Sequence, residues 1–295
     1  MNCKEKSNIT SIYEQTSLYK QNFSLYDVFF KTITTFSAFI VIGVFLFIII
    51  YILINGYSNL SLNLIFNNSQ NGILPVILNT IYVQLLTLLI ATPIGITTAV
   101  YITQYKKHGK IIEFVNFITN TLASIPSILF GMFGYNILCI LLGMPPSILV
   151  GCLTLACAIL PNIIITTKEA LNLVPASYKQ GALALGASKF KAIIGLVIPC
   201  AMPGILTAII LSAGRIIGES AALLLTVGTS ARMPRGILKH IFSSGRTLTL
   251  HLYFTAGNAT SSDSMGICFA IATILLILTF TLNCLTKFVA KKFKR

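Results

Sequence analysis

Charge is scarce in this chain of 295 residues. Asp, Glu, Lys and Arg together make up 9% of it, against roughly 25% in a soluble domain. Acidic residues number only seven, and Glu219 is the one clearly inside a long apolar run. His108, His240 and His251 are scattered and carry no readable role. No Ser/His/Asp set and no pair of neighbouring carboxylates is present, which removes the usual hydrolytic chemistries. The phosphate-cradling pattern GxxxxGK[ST] is missing as well: Gly109-Lys110 is followed by Ile111 and has no upstream glycine. The chain therefore has no ATP site of its own, and uphill movement of a solute would draw on a partner subunit or an ion gradient. Cys3 lies in the polar N-terminal tail and the other six cysteines lie in or beside apolar runs, so none is placed for a persistent external disulfide. Cys152 and Cys157 have no histidine partner and read as small packing residues.

What the chain has is apolar sequence. Hydrophobic residues make up 55% of it and its mean hydropathy is +0.86, the composition of an integral membrane protein. The net charge of +14 does not point to nucleic acid, because the basic residues flank apolar spans and form no aromatic-laced stripe on a soluble domain. Six runs are long enough to cross a bilayer, which takes about 20 residues. They lie near Thr32–Ile54, Leu74–Thr103, Ile111–Leu142, Ser147–Thr166, Pro199–Val227 and Met265–Ala290. The third would be roughly 48 Å long as a straight helix, too long for one crossing, so a break is expected around Ser124-Ile125-Pro126-Ser127. The predicted fold is all-α and polytopic. Residues 1–27 form a polar tail, 28–72 the first span and an external loop, 73–290 a core of five spans with a loop at 168–199, and 291–295 a basic C-terminus. The first apolar run is too long for a cleavable signal and has no small-residue site after it.

Lysine and arginine set the expected orientation. Lys4, Lys6, Lys20 and Lys31 precede the first span; Lys106, Lys107 and Lys110 follow the second; Lys168, Lys179, Lys189 and Lys191 follow the fourth; Lys287, Lys291, Lys292, Lys294 and Arg295 end the chain. The short loops on the other side have none. Both termini are expected in the cytoplasm. The long fifth loop carries Arg232, Arg235, Lys239 and Arg246 on the external side, either facing an acidic rim of a binding protein and raising local anion concentration or forming a solvated surface.

The stretch from Pro175 to Leu225 is the most informative. Pro175 can open a helix, Ala182, Leu183, Ala184 and Leu185 favour one, Gly186 permits a turn, and Lys189-Phe190-Lys191 begins a second amphipathic piece that Pro199 is expected to close. Short basic amphipathic helices either lie on anionic lipid or enter a groove on a soluble protein. The following span places Arg215 and Glu219 four residues apart, so they are expected to share one helix face. Charge inside a membrane is costly and faces protein or a watery path. The pair fits either an anion pathway, in which the planar guanidinium takes phosphate oxygens bidentately, or a salt bridge between helices.

The spacing of Gln180-Gly181-Ala182, then Gly186 after three residues, then Leu196-Val197-Ile198-Pro199 after nine more, resembles the cytoplasmic coupling loop of ABC-importer permeases (Glu-Ala-Ala, three residues, Gly, nine residues, Ile-x-Leu-Pro). Gln180 and Gly181 replace the usual Glu and Ala. The run Arg215-Ile216-Ile217-Gly218-Glu219-Ser220-Ala221-Ala222-Leu223 is similar to the fifth span of phosphate permease subunits, with Ser220 for Thr and Ala222 for Pro. TIYVQLLTLLIATPIGITTAVYITQY and LASIPSILFGMFG match that family's second and third spans, and TLTLHLYFTA resembles the A-type subunit. The resemblance implies the type I importer-permease fold in a prokaryotic cell membrane. It implies that Arg215 and Glu219 line the substrate pathway and that Lys179, Gln180, Gly181, Ala182, Leu183, Leu185, Gly186 and Pro199 form the ATPase-coupling loop. It further implies a second permease chain, two ATP-binding subunits that hold ATP and Mg so that this chain holds no cofactor, an external phosphate-binding protein, and a lipid surround. A permease for molybdate or sulfate and a membrane scaffold in phosphate-linked signalling are the alternatives. A fully ionised oxyanion has no proton to offer Glu219, which favours phosphate.

Overall fold

A computed structural model describes residues 25–61, 66, 73–105, 109–230, 236–259 and 262–292. The tail with Cys3, Lys4, Lys6 and Lys20, the tip of the first external loop, Lys106, Lys107, His108, Arg232, Arg235, Lys294 and Arg295 lie outside these residues. Among the described residues the structure is helical and contains no strand. The chain divides into two compact units, Met1–Ile52 and Leu53–Arg295. The described part of the first unit is the helix α1 (Leu25–Tyr57, whose last residues belong to the second unit), with Phe47 and Tyr51 stacked on its outward face. Its long run of exposed Phe, Ile, Leu and Val side chains is what lipid solvates.

In the second unit, α2 (Leu74–Val100) continues through a π turn at Tyr101–Tyr105. Next come α3 (Lys110–Ala123), α4 (Ser127–Gly134) with a π turn at Tyr135–Leu141, and α5 (Ile148–Asn172). They are followed by α6 (Ala176–Ala184), α7 (Lys189–Ala192), a π turn at Ile193–Val197 and α8 (Ile198–Gly218). The short helices α9 (Ile237–Ile241) and α10 (Leu248–Gly257) precede α11 (Ser262–Lys292).

The break expected at Pro126 is present and large: α3 and the helix that begins at Ser127 meet at 105°. Proline lacks the N–H the helix needs and drives the residue before it out of the helical region. Pro126 itself, with ψ 136, stands just outside the new helix as its N-cap, the N–H of Leu129 donating to its carbonyl. Among the described residues, five helices are long and apolar enough to span a membrane, and this bent pair makes a sixth crossing if counted as one.

Helix α5 is the axis of the core, and most of its residues are buried. Around Cys152, Leu155, Ile159 and Ile163 pack Val83 and Ala91 of α2, Ile216 of α8, Ala222, Leu223 and Val227 of the turn after α8, and Leu250 of α10. Small residues set these distances, as they do between helices in lipid. Gly95 meets Ile163, Gly134 meets Thr154, Gly151 meets Leu223 and Val227, and Gly204 meets Ala170.

The fifth span departs from expectation at both ends. It begins at Lys189, ten residues before Pro199, and ends at Gly218 rather than Val227. Pro199 does not close the preceding helix. The π turn directly ahead of it bonds Ile198 N–H to the carbonyl of Ile193, and this widened pattern accommodates the ring and missing donor of the proline. After Gly218 the chain leaves the helix and folds inward as a turn over residues 221–227.

Gly131 of α4 lies against the backbone of that turn. A Cβ at position 131 would sit 2.8 Å from the carbonyl oxygen of Ala222 and 3.0 Å from its Cα, main-chain atoms that no rotamer change removes. Gly131→Ala is expected to cost about 1–3 kcal/mol, read as a lower midpoint of thermal unfolding in detergent. Gly181→Ala, with nothing near its Cβ and a helical backbone, should be neutral or raise stability by up to about 1 kcal/mol.

Candidate functional site

The loop between the fourth and fifth long helices is shorter than 168–199, because α5 runs on to Asn172. Lys168 is part of α5 and donates to Asn116 Oδ1 of α3 at 2.8 Å. The two short helices expected around Gly186 are present. Gly186 has φ +83, the left-handed conformation open to glycine. Its N–H donates to Leu183 O, and that of Ala187 to Ala182 O. This is a Schellman stop. Ser188 then caps α7, its Oγ accepting from Lys191 N–H at 3.3 Å. Gln180, Gly181, Leu183, Leu185 and Gly186 are exposed, Leu185 at 90%, and Ala182 is half-buried. With Tyr178 and Phe190 they present an apolar outer surface.

Lys179 does not point outward with them. Its Nζ donates to both the main-chain carbonyl and Oε1 of Gln104, each at 3.0 Å. Lys189 donates to Tyr105 O at 3.2 Å and lies 4.9 Å from the centre of the Tyr105 ring. Both lysines thus hold the end of the second span.

Arg215 and Glu219 do not share a helix face. Arg215 is in the last turn of α8, half-buried, where the helix dipole favours a cation. Glu219 follows the helix in extended conformation with ψ 119. Its Oε1 accepts from Ala222 N–H at 3.3 Å, and its carbonyl accepts from Thr249 Oγ1 at 3.2 Å. Gly218 is a weak helix former, and the carboxylate satisfies an orphan donor of the following turn, as an N-cap does. Among the described residues no ion pair joins Arg215 to Glu219. Ser212, one turn before Arg215, has a buried hydroxyl with no partner among the described residues.

The segment after that turn is built into the protein rather than looped over it. His240 is 4% exposed, and its Nε2 donates to Asn79 Oδ1 of α2 at 2.7 Å. Asn79 Nδ2 donates to Arg246 O at 3.3 Å, and Leu248 N–H to Thr80 Oγ1 at 2.8 Å. Arg246 is neither a free rim charge nor a solvated one. Its guanidinium donates from Nε and Nη2 to Thr229 O and from Nη1 to His251 Nδ1 at 3.1 Å, and covers the Phe254 ring. No sequence spacing announces these ties, because Asn79 and His240 are 161 positions apart. Among the described residues, no group of three or more His, Cys, Asp or Glu side chains converges as a metal site would require.

Against known proteins, the pattern of the family described as "Binding-protein-dependent transport system inner membrane component" matches residues 91–295. The chain is 32% identical to the probable ABC transporter permease protein YqgI of Bacillus subtilis over 247 residues, 79% of this chain and 84% of that one. It is 31% identical to the phosphate transport system permease protein PstA 1 of Mycobacterium tuberculosis strain H37Rv, over 70% of this chain and 66% of that one. Its fold is similar to a chain of a bacterial alginate ABC transporter solved with an alginate-bound periplasmic protein, with a TM-score of 0.60 and 16% identity over 94% of this chain and 95% of that one.

Two expectations follow from the geometry. If Glu219 serves by capping, Glu219→Gln keeps the accepting oxygen and the thermal midpoint, whereas Glu219→Ala loses about 1 kcal/mol in the same unfolding assay. His251 provides the second. Burial, and then the adjacent Arg246 guanidinium, push its pKa down to about 4 from 6.5. The unfolded chain therefore takes up the proton first. The stabilisation by neutral His251 is complete above pH 6.5 and is lost as pH falls toward 4. Unfolding midpoints measured across that window should fall more steeply for the wild type than for His251→Gln.

Proposed function

Because the chain belongs to the family of binding-protein-dependent transport system inner membrane components, we propose that it is the A-type permease subunit of an ATP-driven phosphate importer. It forms one half of the translocation path. A second, similar permease chain forms the other half, two ATP-hydrolysing subunits that hold ATP and Mg dock on the coupling helices, and an external binding protein delivers the anion. The lysine bias supports a cytoplasmic position for both termini. The chain makes and breaks no bonds. ATP-driven closure of the ATPases moves α6 and α7, and the spans rock about the path.

The phosphate assignment is supported by the phosphate permease among its relatives. The observation that carries the site is Arg215 in the last turn of α8. With Glu219 drawn away to Ala222, no carboxylate among the described residues neutralises the guanidinium. A planar guanidinium offers two parallel N–H donors to phosphate oxygens, and in a partly desolvated setting this is a strong, orienting contact. The broken helix gives the anion a place where the span ends. Exposed Leu183, Leu185 and Gly186 give an ATPase groove an apolar edge to grip, and Gln180 provides a neutral hydrogen-bonding group where the family carries a charge.

The test is uptake of inorganic phosphate into vesicles holding the whole complex, with ATP hydrolysis followed in parallel. Arg215→Ala is expected to lower uptake at least about tenfold, the loss of a charge-assisted contact, while the complex still assembles and hydrolyses ATP. Uptake that survives the substitution removes Arg215 from the anion path. Wild-type vesicles that carry molybdate or sulfate and not phosphate overturn the substrate.

A further inference from the structure

Helix α6 belongs to the proposed ATPase contact. None of its residues is buried. A cavity of about 250 Å³ separates it from the ends of α2 and α5, lined by Thr103, Gln104, Asn172 and Lys179 among others. A second, of about 440 Å³, lies toward α8, bounded by Tyr178, Cys200, Pro203 and Gly204. The packing contacts of α6 lie with α7 and with the π turn Ile193–Val197 of the fifth span; toward α2, across the first cavity, packing transmits little displacement, because apolar contact acts only at touching distance. Among the described residues, the Lys179 side chain makes a direct polar tie across the gap to the second span, reaching Gln104 O and Oε1.

The receiving end suits it. The last carbonyls of a helix have no partner within it and carry the negative end of its dipole, so an ammonium there makes charge-assisted bonds. Gln104 belongs to the π turn Tyr101–Tyr105, a looser backbone pattern that permits local rewinding. The neighbouring residue Tyr105 receives Lys189 from α7 in the same way. The two coupling helices are thus fastened to consecutive residues at the end of one span.

We propose that Lys179 is a strut that carries the movement of α6 into the second span through Gln104. It is a positioning residue, acting on the path without touching the transported anion. The proposal rests on the transport reading above. In this view α6 drives the second span through Lys179 while α7 drives the fifth span directly, as one continuous helix from Lys189 to Gly218. One ATPase stroke then moves two spans from one loop.

The experiment uses the full complex in vesicles and reads ATP hydrolysed per phosphate taken up. Lys179→Met keeps the aliphatic stem and removes the ammonium, and it is expected to raise that ratio about tenfold, in line with losing a charged hydrogen bond. Lys179→Arg, which restores two donors, should return it close to wild type. An unchanged ratio in Lys179→Met overturns the strut. So do uptake and hydrolysis that fall in proportion, since that marks lost docking rather than lost transmission. Amide hydrogen exchange supplies a readout that needs no substrate. ATP should alter exchange at 101–105 in the wild-type complex and leave it unaltered in Lys179→Met. An equal response in both overturns the proposal even if the wild type transports another anion. Absent phosphate uptake by the wild type would instead count against the phosphate reading, with the exchange experiment still deciding the strut.

Discussion

The structure depends on how one helix end is satisfied. Helix α5 begins inside the protein, and the first N–H groups of a helix have no partner within it. Ser147 N–H donates to Thr226 O, and Ile148 N–H to Ser243 O. Both acceptors belong to the irregular segment between α8 and α10. That segment is held in turn by Gly245 N–H on Val227 O and by Arg246 N–H on Ser230 O. In an apolar surround a backbone group without a partner costs several kcal/mol, so the core helix and the irregular segment are mutually required. Leaving the helix at Gly218 is therefore part of how α5 starts. The same segment brings Ala222, Leu223 and Val227 onto α5, so the polar and apolar reasons for its path coincide.

From that constraint the site follows. If the fifth span had run on to Val227, Glu219 would lie one turn from Arg215 and the two would neutralise each other on a helix face. Turning the chain inward spends the carboxylate on Ala222 N–H and leaves Arg215 at a helix C-terminus. The Gly131 contact fixes the opposite wall, since α4 can approach the turn only where it has no side chain. Asn79, His240, Arg246 and His251 then tie the far side of the segment to α2 and α10. A broken helix at a proposed anion path is thus held on three sides by contacts that have nothing to do with an anion.

Much of this was legible in the sequence, and the reasons are physical. Apolar runs longer than a bilayer report spans directly, and each of the six expected regions holds a long helix or the bent pair, although the fifth is helical only as far as Gly218. Pro126 announced the third-span break because proline removes a donor wherever it falls. Gly186 announced the turn between α6 and α7 because its left-handed φ suits glycine. Pro199 misled, because whether a proline ends a helix depends on the turn before it, and a π turn has no composition signal of its own. The span ending at Gly218 was hidden too. Residues 219–227 are as apolar as a helix interior, and only the long-range acceptors at Thr226 and Ser243 decide that they fold as a turn. The roles of Asn79, His240 and Arg246 were hidden for the same reason, each resting on a partner far away in sequence. Lys179 was read as a basic residue near a docking motif, and its direction, inward to Gln104, is a property of the packed chain alone.

The two ends of the fifth span show how a single chain can receive a mechanical input and present a charge. At one end the helix is continuous with α7, with only the π turn at Ile193–Val197 between them. At the other end it stops within the core and hands its last turn to Arg215. A rigid rod between them would move the guanidinium with every displacement of the loop. The segment beyond Gly218 is anchored to α5 and α2 instead of to the rod's axis. On the proposed transport reading, a displacement of α8 would shift Arg215 relative to Glu219 and its turn, while the capping bonds that start α5 come from the anchored segment. Coupling by relative motion at a helix break needs less deformation of the packed core than bending a continuous span would, because close-packed interiors resist continuous strain.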